Sequence, residues 1–482
     1  MFEGIRPQLA GVAGVHLTMN PRNSVVFGNA LLTRILSAAR AATLLLAVLA
    51  VMTFAGRTLA QPISAEEKES ILRGAERLIE QRAFAAGVDF KKWPVMLDKY
   101  RERIDRAATV PEFTMVVNRA LNEFGISHID LVTPRQAEQI NRTSFVGIGI
   151  RHRGDGYEQG LRVNEVIEGS PAQAAGLKAG DTIVKVDGQQ LTDPSQIRGE
   201  EGSVVKLTVL RGEGHENAGK EEDIEVTRAT ISTREPDTLK ELDSKTAVLY
   251  IPTFSAGYDP RAVERLITRA KGYENLIIDL RSNGGGAVTN LTHFLGCLLP
   301  GGTVVGTSIS SRTAERFAQE TGKDTTDLNA IVEWGGGRKM TARRGAFKPY
   351  EGRVAVLING GSASASEIFA AAMRELRDAP LVGTPTAGAV LVSSYMRLES
   401  GFQMKVPMSD YVTIKGVRLE GNPLEPDVAV RTRRFSRAAE VTEDPVVKAA
   451  AERLVAMAQA KPAPEQPMPE DARDGKNMVK PE

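Results

Sequence analysis

Apolar positions along this chain change their period from one region to the next, and each change predicts a different kind of structure. From Ala41 to Gly56 they form a nearly unbroken run, AATLLLAVLAVMTFAG. Behind a Ser64/Glu67 capping-box pattern, Ile71, Leu72, Ala75, Leu78 and Ile79 then recur at helical spacing. Two more helical stretches follow, roughly 93–107 and 111–124, and Gly125 is a suitable helix stop before Ile126-Ser127-His128. From Ser144 the texture becomes that of short strands (FVGIGI, RVNEVI, TIVKV, VVKLTVLR) separated by the turn-rich GSPAQAAGLKAGD and by Asp187-Gly188. Farther on, strands alternate with helices: AVLYIPTF, a helix from Pro260, NLIIDL, a helix after Gly286, VAVLI, a helix after Ser364, and LV. That alternation predicts an α/β domain with a largely parallel sheet, whose ligands bind at the carboxyl ends of its strands. DLRSNGGG and NGGSASASE sit at those ends.

The pattern divides the chain into a signal region (1–62), a helical domain (63–141), a β-rich domain (142–232), an α/β domain (233–440) and a carboxy-terminal helix with a disordered tail (441–482). At 482 residues the chain is too long for one ordinary core. The apolar run is shorter than a membrane span of about 20 residues, is preceded by Arg34 and Arg40, and is followed by Thr58-Leu59-Ala60. This predicts export with cleavage near Ala60, to the periplasm or beyond. If uncleaved, the run predicts an inner-membrane anchor. Membrane contact is expected through this segment alone.

Charge narrows the function classes. Lys and Arg number 61 against 60 Asp and Glu, so no global field gathers nucleic acid. Cys297 is the single cysteine, which excludes an intramolecular disulfide, and no Cys/His cluster has metal-ligand spacing. Neither metal nor organic cofactor is expected.

Two segments carry candidate chemistry. Asn359 to Met373 places three serines between a buried-looking strand and a helix, where a hydroxyl in a tight turn lies beside helix N-terminal amides. Taken alone, it also fits a small-residue turn that brings helix and sheet together. Asp279 to Gly286 ends in three glycines, whose amides can approach a substrate closely. A phosphate cradle is disfavoured because no P-loop lysine follows.

These segments resemble the nucleophile turn and the DxRxNxGG segment of the carboxy-terminal processing and tricorn-core peptidases. The resemblance implies a crotonase/ClpP-like catalytic domain with Ser364 as nucleophile. It implies oxyanion amides from Ala365 and from Gly285, with Gly286 as the second choice. In the processing branch the base is a lysine in TxGKGxxQ, but here Thr386-Ala387-Gly388 is followed by Ala389, with Ser393 at the glutamine position. A Ser-Lys dyad at that site is excluded. In the tricorn branch the base is a histidine in LGxSH, which Phe124-Gly125-Ile126-Ser127-His128 is similar to. By that likeness His128 is the base, Ser127 its neighbour and Glu420 the fourth member, with Glu425 as the weaker candidate. The β-rich unit resembles a PDZ domain, and Val146, Gly147, Ile148 and Gly149 fall in the place of its carboxylate-binding loop. Only Pro194 to Arg198 remain for the second helix that walls such a groove.

The leading function is therefore a serine endopeptidase of the cell envelope, acting on polypeptides through an acyl-enzyme, with oligomerisation left open. The alternative is an inactive scaffold of the same fold that holds peptides or apolar ligands. The stretch 310–350 fits either a lid or an assembly surface.

Overall fold

The computed structural model describes residues 61–140, 143–152, 160–232, 235–345, 347–431 and 440–459. The proposed signal region up to Ala60 and the tail from Ala460 lie outside them.

The protein has a mixed α/β fold with a helical amino-terminal region, a small β-rich domain and a larger α/β domain. The α/β domain is built on a six-stranded sheet in the order Thr238–Asp243, Thr246–Tyr250, Asn275–Asp279, Arg353–Ile358, Leu381–Gly383, Val428–Ala429. Its first pair is antiparallel and all later pairs are parallel. Asn275–Asp279 is buried along its whole length because helices cover both faces. Leu249, Leu276, Ile278 and Val356 face the helices Pro260–Ala270, Val288–Leu298 and Ala365–Arg377. The alternate residues Val248, Ile277, Ala355 and Leu357 pack beneath Val446, Val447, Ala450 and Leu454 of the helix Pro445–Gln459.

Beside it stands an antiparallel sheet ordered Asp130–Val132, Gln403–Thr413, Val304–Ser310, Arg338–Thr341, with Val392–Arg397 also paired to Gln403–Thr413. Strand periodicity decides what this sheet does. Phe402, Met404 and Val406 enter the core of the amino-terminal helices, among Ile71, Ile79, Trp93 and Phe113. Successive side chains in a strand point to opposite faces, so Gln403 and Lys405 face the other way. One strand thus anchors the helical region with one set of side chains and presents the next set on the opposite face.

In the helical region, Ser64 caps Ala65–Arg82: the Glu67 N–H donates to Ser64 Oγ at 3.2 Å, and the Ser64 N–H donates back to Glu67 Oε2 at 3.0 Å. The stretch 93–107 forms two short helices, Trp93–Asp98 and Arg101–Arg106, where the sequence pattern suggested one. The buried Lys68 ammonium stabilises the second by donating to the carbonyls of Ile104, Asp105 and Ala107. In the β-rich domain a single 3₁₀ turn, Pro194–Ile197, stands where the second helix of a PDZ domain would be. The stretch 310–350 folds as helices Ser311–Thr321 and Leu328–Glu333 over Ile309 and Val412, and its last strand extends the antiparallel sheet.

Candidate active site

Ser364 lies between the buried strand Arg353–Ile358 and the helix Ala365–Arg377 with φ 57° and ψ −116°. A positive φ is costly for a residue with a side chain and persists only where the surroundings over-determine it. Those surroundings can be traced. The Ser364 N–H lies 2.9 Å from the Ala389 carbonyl oxygen and 3.1 Å from Glu367 Oε2. Glu367 is fully buried and also accepts from Thr386 Oγ1 at 2.6 Å, the Gly388 N–H at 2.8 Å and the Ala389 N–H at 2.9 Å. Burial pushes its carboxyl pKa up, while the hydrogen bonds from Thr386, Ala389, Gly388 and Ser364 favour the ionised form. The carboxylate therefore clamps the serine turn to the loop in which a lysine-type relative carries its base.

The glycine segment packs directly against this turn. Arg281 is held between Asp279 at 2.6 Å and Asp444 at 2.8 Å, which ties the segment's start to the carboxy-terminal helix. Asn283 donates to the Ile251 carbonyl oxygen at 2.9 Å and accepts from the Gly285 N–H at 2.9 Å. A Cβ on Gly285 would lie 2.8 Å from the Ser364 Cβ, and one on Gly286 only 2.1 Å from the Phe254 carbonyl carbon. Their φ values of 91° and 148° also belong to glycine. The sequence favoured Gly285 over Gly286 as the amide facing a substrate oxygen, and in the structure the two amides differ. The Gly285 N–H is already taken by Asn283, whereas the Gly286 and Ala365 N–H groups have no acceptor among the described residues. Gly286 and Ala365 both line the cavity that holds Ser364.

The opposite wall comes from the exit of the helical region. Gly125 (φ 65°) and His128 (φ 63°) turn the chain into Asp130–Val132. Ser127 Oγ lies 2.5 Å from His128 Nδ1 and 2.9 Å from Glu420 Oε2, although Ser127 and Glu420 are 293 residues apart. Glu420 is buried and accepts as well from the Ser127 N–H and the Val390 N–H, each at 2.7 Å. Proton bookkeeping fixes the tautomer: a carboxylate only accepts, so Ser127 spends its hydroxyl proton on Glu420 and accepts from the protonated Nδ1. Nε2 is left unprotonated. The pKa of His128 is lowered to about 3, first by burial and then by the nearby charge of Lys405, so the ring is neutral at physiological pH. Glu425, the weaker candidate, is exposed and offers only its carbonyl oxygen, to Arg374.

His128, Gly286, Ser364 and Ala365 share one cavity of about 550 Å³, with Ala287, Val288, Leu291, Ile368 and Leu391 as apolar lining. Among the described residues no hydrogen bond joins Ser364 to His128. Ser127 and Glu420 stand behind the histidine. Val146, Gly147, Ile148 and Gly149 are not part of this constellation; they line a separate cavity of about 700 Å³ closed by Pro194, Ile197 and Arg198. Two residues at the site escaped the sequence pattern. Glu367 left a signal, the serine-to-glutamate spacing of a capping box. Lys405 left none, since its place depends on strand pairing.

Residues 245–430 match the family model described as peptidase family S41, and residues 162–211 match that of a PDZ domain. A protein of Staphylococcus epidermidis with the name "Probable CtpA-like serine protease" is 24% identical over 366 residues, 74% of this chain and 67% of its own length. One of the same name from Staphylococcus aureus is 25% identical over 329 residues, 66% of this chain and 60% of its own. Among solved structures, the photosystem II D1 C-terminal processing protease is 20% identical with a TM-score of 0.44, covering 81% of this chain and all of its own. The tricorn protease is 18% identical with a TM-score of 0.49, covering 84% of this chain and 38% of its own. The chain is a serine-type peptidase that joins a PDZ domain to a catalytic domain of peptidase family S41, and its substrates are polypeptides.

Proposed function

We propose that the protein is an endopeptidase of the cell envelope that cleaves polypeptides through an acyl-enzyme on Ser364, with His128 as general base. The observation that carries this reading is the Glu420–Ser127–His128 chain, which leaves Nε2 unprotonated in the wall of the cavity that holds Ser364. Nε2 takes the Ser364 hydroxyl proton as Oγ attacks the scissile carbonyl carbon, and the Gly286 and Ala365 amides receive the oxyanion. The imidazolium then returns its proton to the leaving amine. Water repeats the sequence on the ester and frees Ser364. Ser127 and Glu420 act as positioning residues, holding the tautomer and stabilising the imidazolium. A pKa of about 3 is far below the ideal for a base at neutral pH. The oxyanion supplies part of the remedy, because its negative charge develops in the same cavity and favours the protonated ring.

Envelope location rests on the Ala41–Gly56 run and its basic flank. Fractionated cells should yield mature chain beginning near Gln61 outside the cytoplasm; an intact terminus in the soluble cytoplasm would contradict export. An activated ester substrate tests the chemistry. One equivalent of alcohol per chain should appear in a burst before steady turnover, and Ser364→Ala should abolish it. A burst that survives this substitution would place the acyl group elsewhere.

A further inference from the structure

Lys405 is the one formally charged side chain, apart from the neutral His128, among the described residues that line the catalytic cavity. Its place follows from the strand alternation described above. Within Gln403–Thr413 it is opposite Asp130 on one neighbouring strand and Tyr395 on the other, and Tyr395, Ser393 and Gln403 line the same cavity. Its ammonium lies 6.0 Å from the centre of the Tyr395 ring. Among the described residues it has no carboxylate within 4.0 Å, and the cross-strand Asp130 acts on it only at longer range. A half-buried ammonium with no counter-charge in contact is unusual in a folded protein, since burying a charge is unfavourable unless it is paired. Burial lowers the pKa of Lys405, and the charge of Asp130 offsets only part of that cost.

We propose that Lys405 is a specificity-determining residue that receives a substrate carboxylate, carried on an acidic side chain close to the scissile bond. This rests on the reading of the cavity as a peptidase site. The rest of the lining suits that role. Val288, Leu291, Ile368 and Leu391 accept apolar substrate atoms but distinguish little among them, whereas an ammonium facing a largely apolar cavity distinguishes an acid from its amide. The pairing also reaches the chemistry. Lys405 is the charge that holds His128 down after burial itself, so a carboxylate that neutralises it removes part of what opposes protonation of the ring. The groups around the pair are Ser127 and Glu420 behind the imidazole and Asp130 and Tyr395 beside the ammonium; none is a free carboxylate in the cavity. An acidic substrate should therefore gain in kcat as well as in KM.

The test uses the full chain with internally quenched peptides that differ at one position near the cleaved bond, carrying Glu, Gln or Lys. Each is made with a free and with an amidated carboxyl terminus, so that a side-chain carboxylate is told apart from a chain-terminal one. Wild-type protein should cleave the Glu peptide about ten- to a hundredfold more efficiently than the Gln peptide, whichever terminus it carries. Lys405→Met should bring that ratio near one. Lys405→Glu should turn it in favour of the Lys peptide, and Lys405→Arg should keep it, which also controls for folding. The proposal fails if wild type does not discriminate, if it discriminates only between free and amidated termini, or if Lys405→Met lowers all peptides equally. Failure of the underlying peptidase reading looks different, because then no peptide is cut and Ser364 takes no acyl group.

Discussion

The two walls of the catalytic cavity are made in opposite ways. The wall with the proposed nucleophile and oxyanion amides is local in sequence. Residues 279–286 and 359–365 each leave the end of a buried parallel strand, and their function depends on backbone geometry that only a few residue types permit. The facing wall is assembled from the exit of the helical region, two antiparallel strands and the loop around Glu420, and it depends on side chains that meet across hundreds of residues. A site built from backbone leaves glycines and serines in a row. A site built from a constellation leaves single residues scattered along the chain, and only the fold makes them neighbours.

That contrast can be broken first at its centre. Ser364→Ala and His128→Ala should each lower kcat by several orders of magnitude, on the order of 10⁴ or more, and the double variant should lose little beyond either one. Additive losses in steady-state kinetics would mean that the two walls do not work as one unit.

The backbone wall should be the less forgiving of small changes. Gly286→Ala would place a Cβ 2.1 Å from the Phe254 carbonyl carbon at a φ of 148°, so the loop must move. Loss of one oxyanion donor corresponds to about 10²- to 10³-fold in kcat, with KM changed much less. Kinetics that match wild type would remove Gly286 from the oxyanion site.

The side-chain wall should degrade more gradually. Glu420→Gln keeps the shape but leaves one acceptor oxygen where the Ser127 and Val390 amides use two, and it removes the charge that would stabilise the imidazolium. A loss of about ten- to a hundredfold is expected, smaller than for His128→Ala, and the acid limb of the kcat profile should shift. A uniform loss without change in the pH profile would make Glu420 a purely structural brace.

How much of each wall could be read from the sequence follows from this difference. NGGSASASE and DLRSNGGG mark a tight serine turn and a glycine segment by composition, while the choice of Ser364 came from the resemblance. The choice between Gly285 and Gly286 could not be read, since it depends on the Asn283 side chain reaching the Gly285 N–H. His128 and Glu420 were legible only through resemblance to a known family; no spacing rule connects residues 293 apart. Lys405 was illegible, because which face of Gln403–Thr413 meets the cavity is set by Phe402, Met404 and Val406 packing on the helices.

The smallest expected effect concerns stability. His128 has a folded-state pKa of about 3, below its ordinary 6.5, so between those values the unfolded chain binds more protons than the native one. Its contribution is fully present above about pH 6.5 and is lost as pH falls toward 3. His128→Asn should flatten this part of the curve of Tm against pH, leaving the carboxylates to dominate below it. An unchanged slope in thermal melts would show that the ring is more hydrated than its burial implies.

The most direct test of the central claim is the rate at which a fluorophosphonate probe modifies Ser364, followed by mass spectrometry of the peptide that contains it. The account predicts one adduct per wild-type chain on Ser364, none in Ser364→Ala, and labelling slowed at least a hundredfold in His128→Ala, since the alcohol then lacks a base. Labelling of His128→Ala at the wild-type rate would contradict the account and place the base elsewhere in the cavity.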